Sequence, residues 1–340
     1  MLVAIRMVLP SIILSETNKF LSSFSKDYTL HIDDLDLALF RGAYRFEGVT
    51  GKMHKYNEPF LKLDRIDISL AWRELLKGKL QTDIVIDGMK FLLSTELLNV
   101  VKGNKDTSKK DAKNAGDKLF PMEVSRIDIK NSELQIGDVE GLPPELRWRV
   151  SQIEGRLTNA VPTKEDPISL ITLKGALFDK SDLKVLAQYK VLETPIAWYS
   201  AIELRNFELS NANELLKRKV ALTFKAGSLD LYGEVKGEKN KIEGYVKPFM
   251  KKADIVGDTK DFSTLKHFGI EVATATANII LRTTSQHVVA TKVEFNYQNS
   301  KFDWNASKAI SEAVKNGFQS KLEPGIENQY GLKNEKGVLQ

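Results

Sequence analysis

The chain has 340 residues, 42% of them hydrophobic and 28% charged, the make-up of a globular protein of one or two domains and not of a disordered or collagen-like chain. It contains no Cys, which excludes a disulfide framework, a thiolate metal cluster and a Cys nucleophile. The net charge is +5, but residues 102–118 alone hold six Lys and three Asp, so most of the basic excess is one polar segment and nucleic acid is not expected as a partner.

In chain order, Leu2–Leu14 is almost wholly apolar but is broken by Arg6 and Pro10 and is too short to span a bilayer alone. Three readings stay open: a buried helix, an interfacial anchor, or the last turns of a transmembrane helix whose first turns precede the recorded start. The third is preferred, with Leu2, Val3, Ile5, Val8, Leu9, Ile12, Ile13 and Leu14 as anchor residues. Leu14, Leu21, Phe24 and Tyr28 then recur at helical spacing, which predicts a helix to about residue 26.

From residue 28 onward the period changes to two, the mark of strands with one buried and one wet face. Leu35, Leu37 and Leu39 alternate with Asp34 and Asp36; Leu61 and Leu63 lead into Ile66, Ile68 and Leu70; Ile84 and Ile86, Ile127 and Ile129, then Leu134 and Ile136 follow. Leu146, Trp148 and Val150 read as inward with Arg147 and Arg149 outward. Later runs are Ile171 and Leu173, Val185 to Val191, Ile202 and Leu204, Leu229 and Leu231, and Val289 to Tyr297. Turn signals at Arg41-Gly42, Asn57-Glu58-Pro59, Asp87-Gly88, Asn131-Ser132, Pro143-Pro144, Asp179-Lys180-Ser181 and Gly237 to Asn240 read mostly as hairpin or meander connections, with a bulge as the alternative at Asp87-Gly88.

An ELLKxK segment occurs at 74–79 and again at 214–219, an offset of 140, each predicted as a helical turn with Leu75 and Leu76, or Leu215 and Leu216, plugging the end of a sheet. Near the end, Ile310, Val314, Phe318 and Leu322 predict an amphipathic helix stopped by Pro324-Gly325. The predicted organisation is an anchor remnant and helix (1–27), a first β repeat (28–100), a Lys-rich flexible loop (101–119), a second β region (120–300) and a C-terminal helix and tail (301–340).

A one-sided sheet of this extent must cover its apolar face, and helices other than the termini and 264–280 are lacking. Pattern alone therefore leaves a closed β-sandwich or barrel, which it favours, and an open, curved sheet whose apolar inside accepts a ligand such as a lipid chain. Motifs for chemistry are absent. His31, His54, His267 and His287 form no spaced metal pair, and His31 and Asp33 fall on one strand face with Asp34 and Asp36 on the other. No phosphate loop, nucleophile elbow or dinucleotide fingerprint is found. No cofactor or metal is expected, and the chain does not read as an enzyme.

Several phrases, taken in order, resemble a family. VLPSIIL, HIDDLDLALFRGAYRFEGVTGKM, PFLKLDRIDISLAWRELLKGKLQTDIVIDGMKFLL, FPMEVSRIDIKNSELQIGD, LSNANELLKRKV, GSLDLYGEV, KIEGYVKPFMKKADIV and DWNASKAISEAVKNGFQSKL are similar to the shorter branch of the bacterial AsmA-like envelope proteins. The resemblance implies a mainly β fold, an elongated, strongly curved antiparallel sheet forming an apolar trough, with helices at both ends. It also implies an inner-membrane anchor, a periplasmic body in a diderm bacterium, and a part in phospholipid transfer or outer-membrane homeostasis. The expected lining is Leu37, Ile66, Ile68, Ile84, Ile86, Ile127, Ile129, Leu204 and Leu231. Expected partners are membrane lipid and envelope proteins. The alternative function is a periplasmic structural or protein-partner scaffold without lipid cargo; a hydrolase is the remote third.

Overall fold

The structure, a computed structural model, describes residues 2–23, 25–38, 42–70, 81–103, 123–140, 143–160, 168–213, 223–256, 288–290, 292–298, 301–304, 322–334 and 337–338. The ELLKxK segments, 264–280, most of the Lys-rich segment and the ladder Ile310, Val314 and Phe318 lie outside these residues. The chain divides into two compact units, Met1–Val161 and Pro162–Gln340. That boundary falls inside the 120–300 stretch predicted as one β region. The fold is mainly β, an open mixed sheet without barrel closure, and a closed sandwich is not what forms: the strands of each unit belong to one sheet, apart from a short hairpin.

In the first unit, helix α1 (Leu2–Ser23) precedes strands β1 (Tyr28–Ala38), β2 (Ala43–Met53), β3 (Pro59–Leu70) and β4 (Gln81–Leu93); helix α2 (Thr95–Gly103), β5 (Glu123–Ile136) and β6 (Trp148–Thr158) follow. Tyr28, expected at the end of the helical run, begins β1 instead. The strands lie in chain order and pair antiparallel, except that β4 and β5 are parallel. This corrects the expectation of a wholly antiparallel sheet. A parallel neighbour needs a crossover, and α2 with the residues up to 122 supplies the length for one.

Asp87-Gly88 and Asn131-Ser132 are not hairpins; both lie inside strands, β4 and β5. They belong to a feature shared by all six strands. The inward phase slips once per strand, from Ile32 to Leu35, Phe46 to Val49, Leu63 to Ile66, Ile86 to Met89, Ile129 to Ser132 and Val150 to Ile153. The pairings Ile32↔Val49, Val49↔Leu63, Leu63↔Met89 and Ile86↔Ile129 set these breaks at one transverse level. Positive φ values mark it at Gly48 (65°), Gly88 (71°), Asn131 (47°) and Gln152 (51°). A two-residue outward step of this kind acts as a bulge does and bends the strand; because neighbours slip at one level, pairing continues on both sides of it, with a register shift between β5 and β6, and the sheet of this unit bends along one line.

The core of the unit is the cluster Ile32, Leu35, Leu37, Phe46, Val49, Leu63 and Ile68, against which Leu9, Ile13, Leu14 and Leu21 of α1 pack. The edge strand β1 would otherwise offer unpaired backbone. Asn18 of α1 caps it, donating Nδ2 to the Ile32 carbonyl and accepting the Ile32 N–H at Oδ1, both at 2.8 Å. Arg147, expected outward, is only 3% exposed: it donates two hydrogen bonds to Glu58, at 2.7 and 2.9 Å, and this bidentate pairing makes its burial tolerable.

In the second unit, β7 (Ser169–Leu177), β8 (Ser181–Lys190), β9 (Ala197–Glu208), β10 (Thr223–Glu238), β11 (Lys241–Val256), β12 (Val288–Ala290), β13 (Val293–Gln298) and β14 (Lys301–Trp304) pair antiparallel, β11 taking both β12 and β13 along one edge. The turns predicted at Asp179-Lys180 and Lys239-Asn240 connect β7 to β8 and β10 to β11. The side chain of Asn213 repeats the peptide mimicry of Asn18, donating to the Phe224 carbonyl (2.9 Å) and accepting its N–H (2.8 Å). A last hairpin joins β15 (Lys333–Asn334) and β16 (Gly337–Val338).

Candidate functional site

Strand pairing assembles the alternating apolar residues into rows that run across the strands. In the first unit the rows are Leu37, Tyr44, Ile68, Ile84, Ile127, Leu157 and, one step along, Leu35, Phe46, Ile66, Ile86, Ile129. Directly opposed side chains on one face are the unit of sheet packing, so each row is a continuous apolar track. The opposite face is charged. Arg45 meets Asp67 at 2.6 Å, Arg65 meets Asp87 at 2.6 Å and Asp67 at 3.0 Å, Arg126 meets Asp83 at 2.7 Å and Arg156 meets Asp128 at 2.6 Å. These part-exposed pairs fix which face is wet and each adds little stability.

The expected lining residues divide into two sets. Leu37, Ile68 and Leu204 are 3%, 5% and 7% exposed, so they are core and not open lining; for Leu37 and Ile68 the reason is the helix α1 packed on their cluster. Ile66, Ile84 and Ile86 are half-buried at the margin of that cluster. Ile127, Ile129 and Leu231 are half-buried as well. The anchor set divides similarly: Leu9, Ile13 and Leu14 face the protein's own core, whereas Val8 and Ile12 are 53% and 54% exposed. The side chains of Leu2, Val3 and Ile5 lie outside the described ones. Among the described residues no helix is long and apolar enough to cross a membrane.

The second unit has its own apolar row, Leu173, Val185, Ile202, Gly233, Val246, Val293, none of which is among the expected lining residues although the alternation places Leu173, Val185, Ile202 and Val293 in strands. Leu173, Val185 and Val246 are half-buried and Ile202 is 38% exposed. Gly233 lets the strands pack closely in this row: a Cβ there would sit 3.1 Å from the Tyr245 carbonyl oxygen and 3.2 Å from Val246 Cγ1. A face lined by branched aliphatic side chains and left partly open is where an apolar ligand would lie.

The other face of this sheet is polar and covered. Glu234, 1% exposed, accepts from the hydroxyls of Tyr199 (2.6 Å, Oε1) and Tyr245 (2.5 Å, Oε2). Residues 322–332 lie over it. The Glu327 N–H donates to Tyr245 Oη (2.8 Å), the Gln329 N–H to Glu234 Oε2 (3.2 Å) and the Leu332 N–H to Gln188 Oε1 (2.8 Å). The Glu327 carboxylate pairs with buried Lys247 (3.0 Å) and with Lys292 (2.7 Å), and Leu332 joins Ile168, Ala197, Tyr199 and Ala201 in a small core. Burial and the hydrogen bonds to Glu234 push both tyrosines well above their ordinary value of 10.0. Burial alone would raise Glu327, but its hydrogen bonds to Lys292 and Lys247 outweigh it and lower the carboxyl. Both oxygens of Glu234 are taken, so this cluster straps the C-terminal segment to the sheet and offers no open acid or base. Sequence gave no sign of it, since Tyr, Glu and Lys on the second phase of a strand look like a wet face.

His31 and Asp33 approach to 3.5 Å on an exposed edge, with side chains 62% and 66% exposed, and no group of metal-ligating side chains occurs among the described residues. His54 Nδ1 lies 2.7 Å from the Lys26 carbonyl; His267 and His287 are outside the described residues. No protein family model and no curated protein matches the chain.

Proposed function

We propose that this protein is a non-enzymatic lipid-handling component of a bacterial cell envelope, holding the acyl chains of a phospholipid along the apolar face of its sheet. The carrying observation is the row Leu173, Val185, Ile202, Gly233, Val246, which is apolar across five strands, partly exposed, and backed by a face that the protein covers with its own C-terminal segment. Burial of acyl chain against such a row is driven by about 25 cal/mol per Å² of apolar surface. The similarity to the AsmA-like envelope proteins supports the same reading and adds an inner-membrane anchor and a periplasmic body. The first unit has half-buried apolar residues of its own, Ile84, Ile86, Ile127 and Ile129.

A photo-crosslinking residue at Ile202, in protein purified gently from bacterial cells, is expected to capture phospholipid, detected by mass spectrometry, while the same residue at Glu203 on the opposite face is not. Failure to capture lipid at Ile202 would sink the proposal and leave the alternative, a scaffold without lipid cargo.

A further inference from the structure

Among the described residues of the second unit, the three most exposed large apolar side chains are gathered in one turn. Between β8 and β9, Val191, Leu192 and Ile196 are 45%, 52% and 50% exposed. Three aliphatic side chains left half in water at a hairpin tip are costly unless something covers them.

Immediately behind this tip lies an aromatic row. Tyr189 pairs with Trp198, Trp198 with Gly237, Gly237 with Ile242 and Ile242 with Tyr297. These residues share one face of the sheet, the face that carries Ile202, and all sit at one level. Gly237 makes room for the indole: a Cβ there would fall 2.2 Å from Trp198 Nε1. Tyr297 is 38% exposed. Apolar residues at the extremity, followed by a level of Trp and Tyr, is the order in which side chains meet a bilayer, with rings at the headgroup and aliphatic groups beyond.

The charges at this end agree with such a placement. Lys190 pairs with Glu193, Lys236 with Glu238 and Lys241 with Glu243, and Lys239 in the β10–β11 turn adds a further positive charge. The turn's own carboxylate, Glu193, is thus tied to a lysine at the neck, and lysine stems can reach back to phosphate while their carbons cover apolar surface. Among these named groups four lysines stand against three glutamates, which matches an anionic headgroup layer in sign, but the excess is small, so the contact is governed by apolar insertion and not by charge.

We propose that this end of the second unit docks on a phospholipid bilayer, Val191, Leu192 and Ile196 inserting below the headgroups and Tyr189, Trp198 and Tyr297 resting at their level. The apolar row of the proposed lipid path then opens at the membrane surface. This rests on the lipid-handling reading for its purpose, but its own evidence is the tip.

The absence of Cys allows a clean test. Single cysteines at Leu192, and at Asp179 in the β7–β8 turn at the other end of β8, would carry an environment-sensitive fluorophore, and the full chain would be mixed with vesicles of phosphatidylethanolamine and phosphatidylglycerol. The label at 192 is expected to shift to the blue and to be quenched by lipid-borne quenchers, at both low and high salt, while the label at 179 stays in water. Leu192→Asp with Ile196→Asp, at exposed positions and with an unchanged melting curve, is expected to weaken vesicle binding about tenfold or more. A label at 192 that stays in water, or labels that shift alike at both positions, would overturn the proposal. Lipid crosslinked at Ile202 with no shift at 192 would reject docking and keep the lipid path; a shift at 192 with no lipid at Ile202 would do the reverse.

Discussion

Asp64 and Gly88 face each other across β3 and β4 so closely that a Cβ on Gly88 would fall 2.1 Å from Asp64 Oδ2. Asp33 and Gly48 repeat the arrangement across β1 and β2, at the same 2.1 Å. Both glycines have positive φ and both lie on the line where the inward phase of the first sheet slips. The bend of that sheet therefore depends on positions where a side chain is excluded twice, by backbone conformation and by the facing carboxylate.

Gly88→Ala is expected to destabilise the protein by about 2–3 kcal/mol in chemical denaturation. Asp64→Ala combined with Gly88→Ala should recover some of the loss; a double variant that recovers none would show that the facing carboxylate is irrelevant.

Arg147 is buried against Glu58, so Arg147→Ala leaves a part-buried carboxylate without its partner and is expected to cost about 3 kcal/mol or more. Arg147→Met with Glu58→Gln removes both charges and should cost less. A double-mutant cycle in urea measures the coupling; a coupling near zero would mean that packing of the long stem, and not the ion pair, holds this corner.

The C-terminal strap should loosen at both extremes of pH. Glu327 has its folded pKa below the ordinary 4.5, so its contribution is complete above that value and is lost as pH falls through the lower folded one. Lys292 is raised above 10.5, where its hydrogen bonds to Glu327 and Glu294 outweigh the opposing effect of burial. Tyr199 and Tyr245 are raised above 10.0 by burial and Glu234. Their contributions are complete below those ordinary values and are lost as pH rises through the folded ones. Limited proteolysis of residues 322–334 against pH should show a protected plateau between, and Glu327→Gln should flatten its acid limb. An acid limb unchanged in that variant would remove Glu327 from the anchor.

Apolar residues of the same sheet should respond differently according to what covers them. Ile68→Asp places a charge in the core under α1 and is expected to cost about 4 kcal/mol or more, unfolding the protein. Ile202→Asp lies on the partly open row and should change stability by about 1 kcal/mol while abolishing lipid capture on that face. If both variants unfold alike, the row is closed core and the scaffold reading gains.

Much of the fold was legible in the alternation of residues. Leu61 and Leu63 leading into Ile66 and Ile68 even carried the phase slip in plain view, as a step of three where a regular strand has two. What misled was local chemistry with two meanings. Asp-Gly and Asn-Ser favour left-handed backbone equally in a hairpin and in the middle of a bent strand, and only the pairing of β4 with β3 and β5, and of β5 with β4 and β6, separates the two. Arg147 looked outward because charge on a strand is outward by default; its partner Glu58 is 89 residues away, beyond any local pattern.

The amino-acid sequence by itself determined that the chain is β-rich, that each strand has an apolar and a polar phase, and that no cysteine chemistry is available, because composition and period two are properties of neighbouring residues. Only the tertiary structure decided which apolar face is covered by α1, which stays partly open at Ile202, and that the polar phase around Glu234 is buried beneath residues 322–332. Burial is set by what packs on a face from far along the chain, and alternation says which way a side chain points without saying what it meets there.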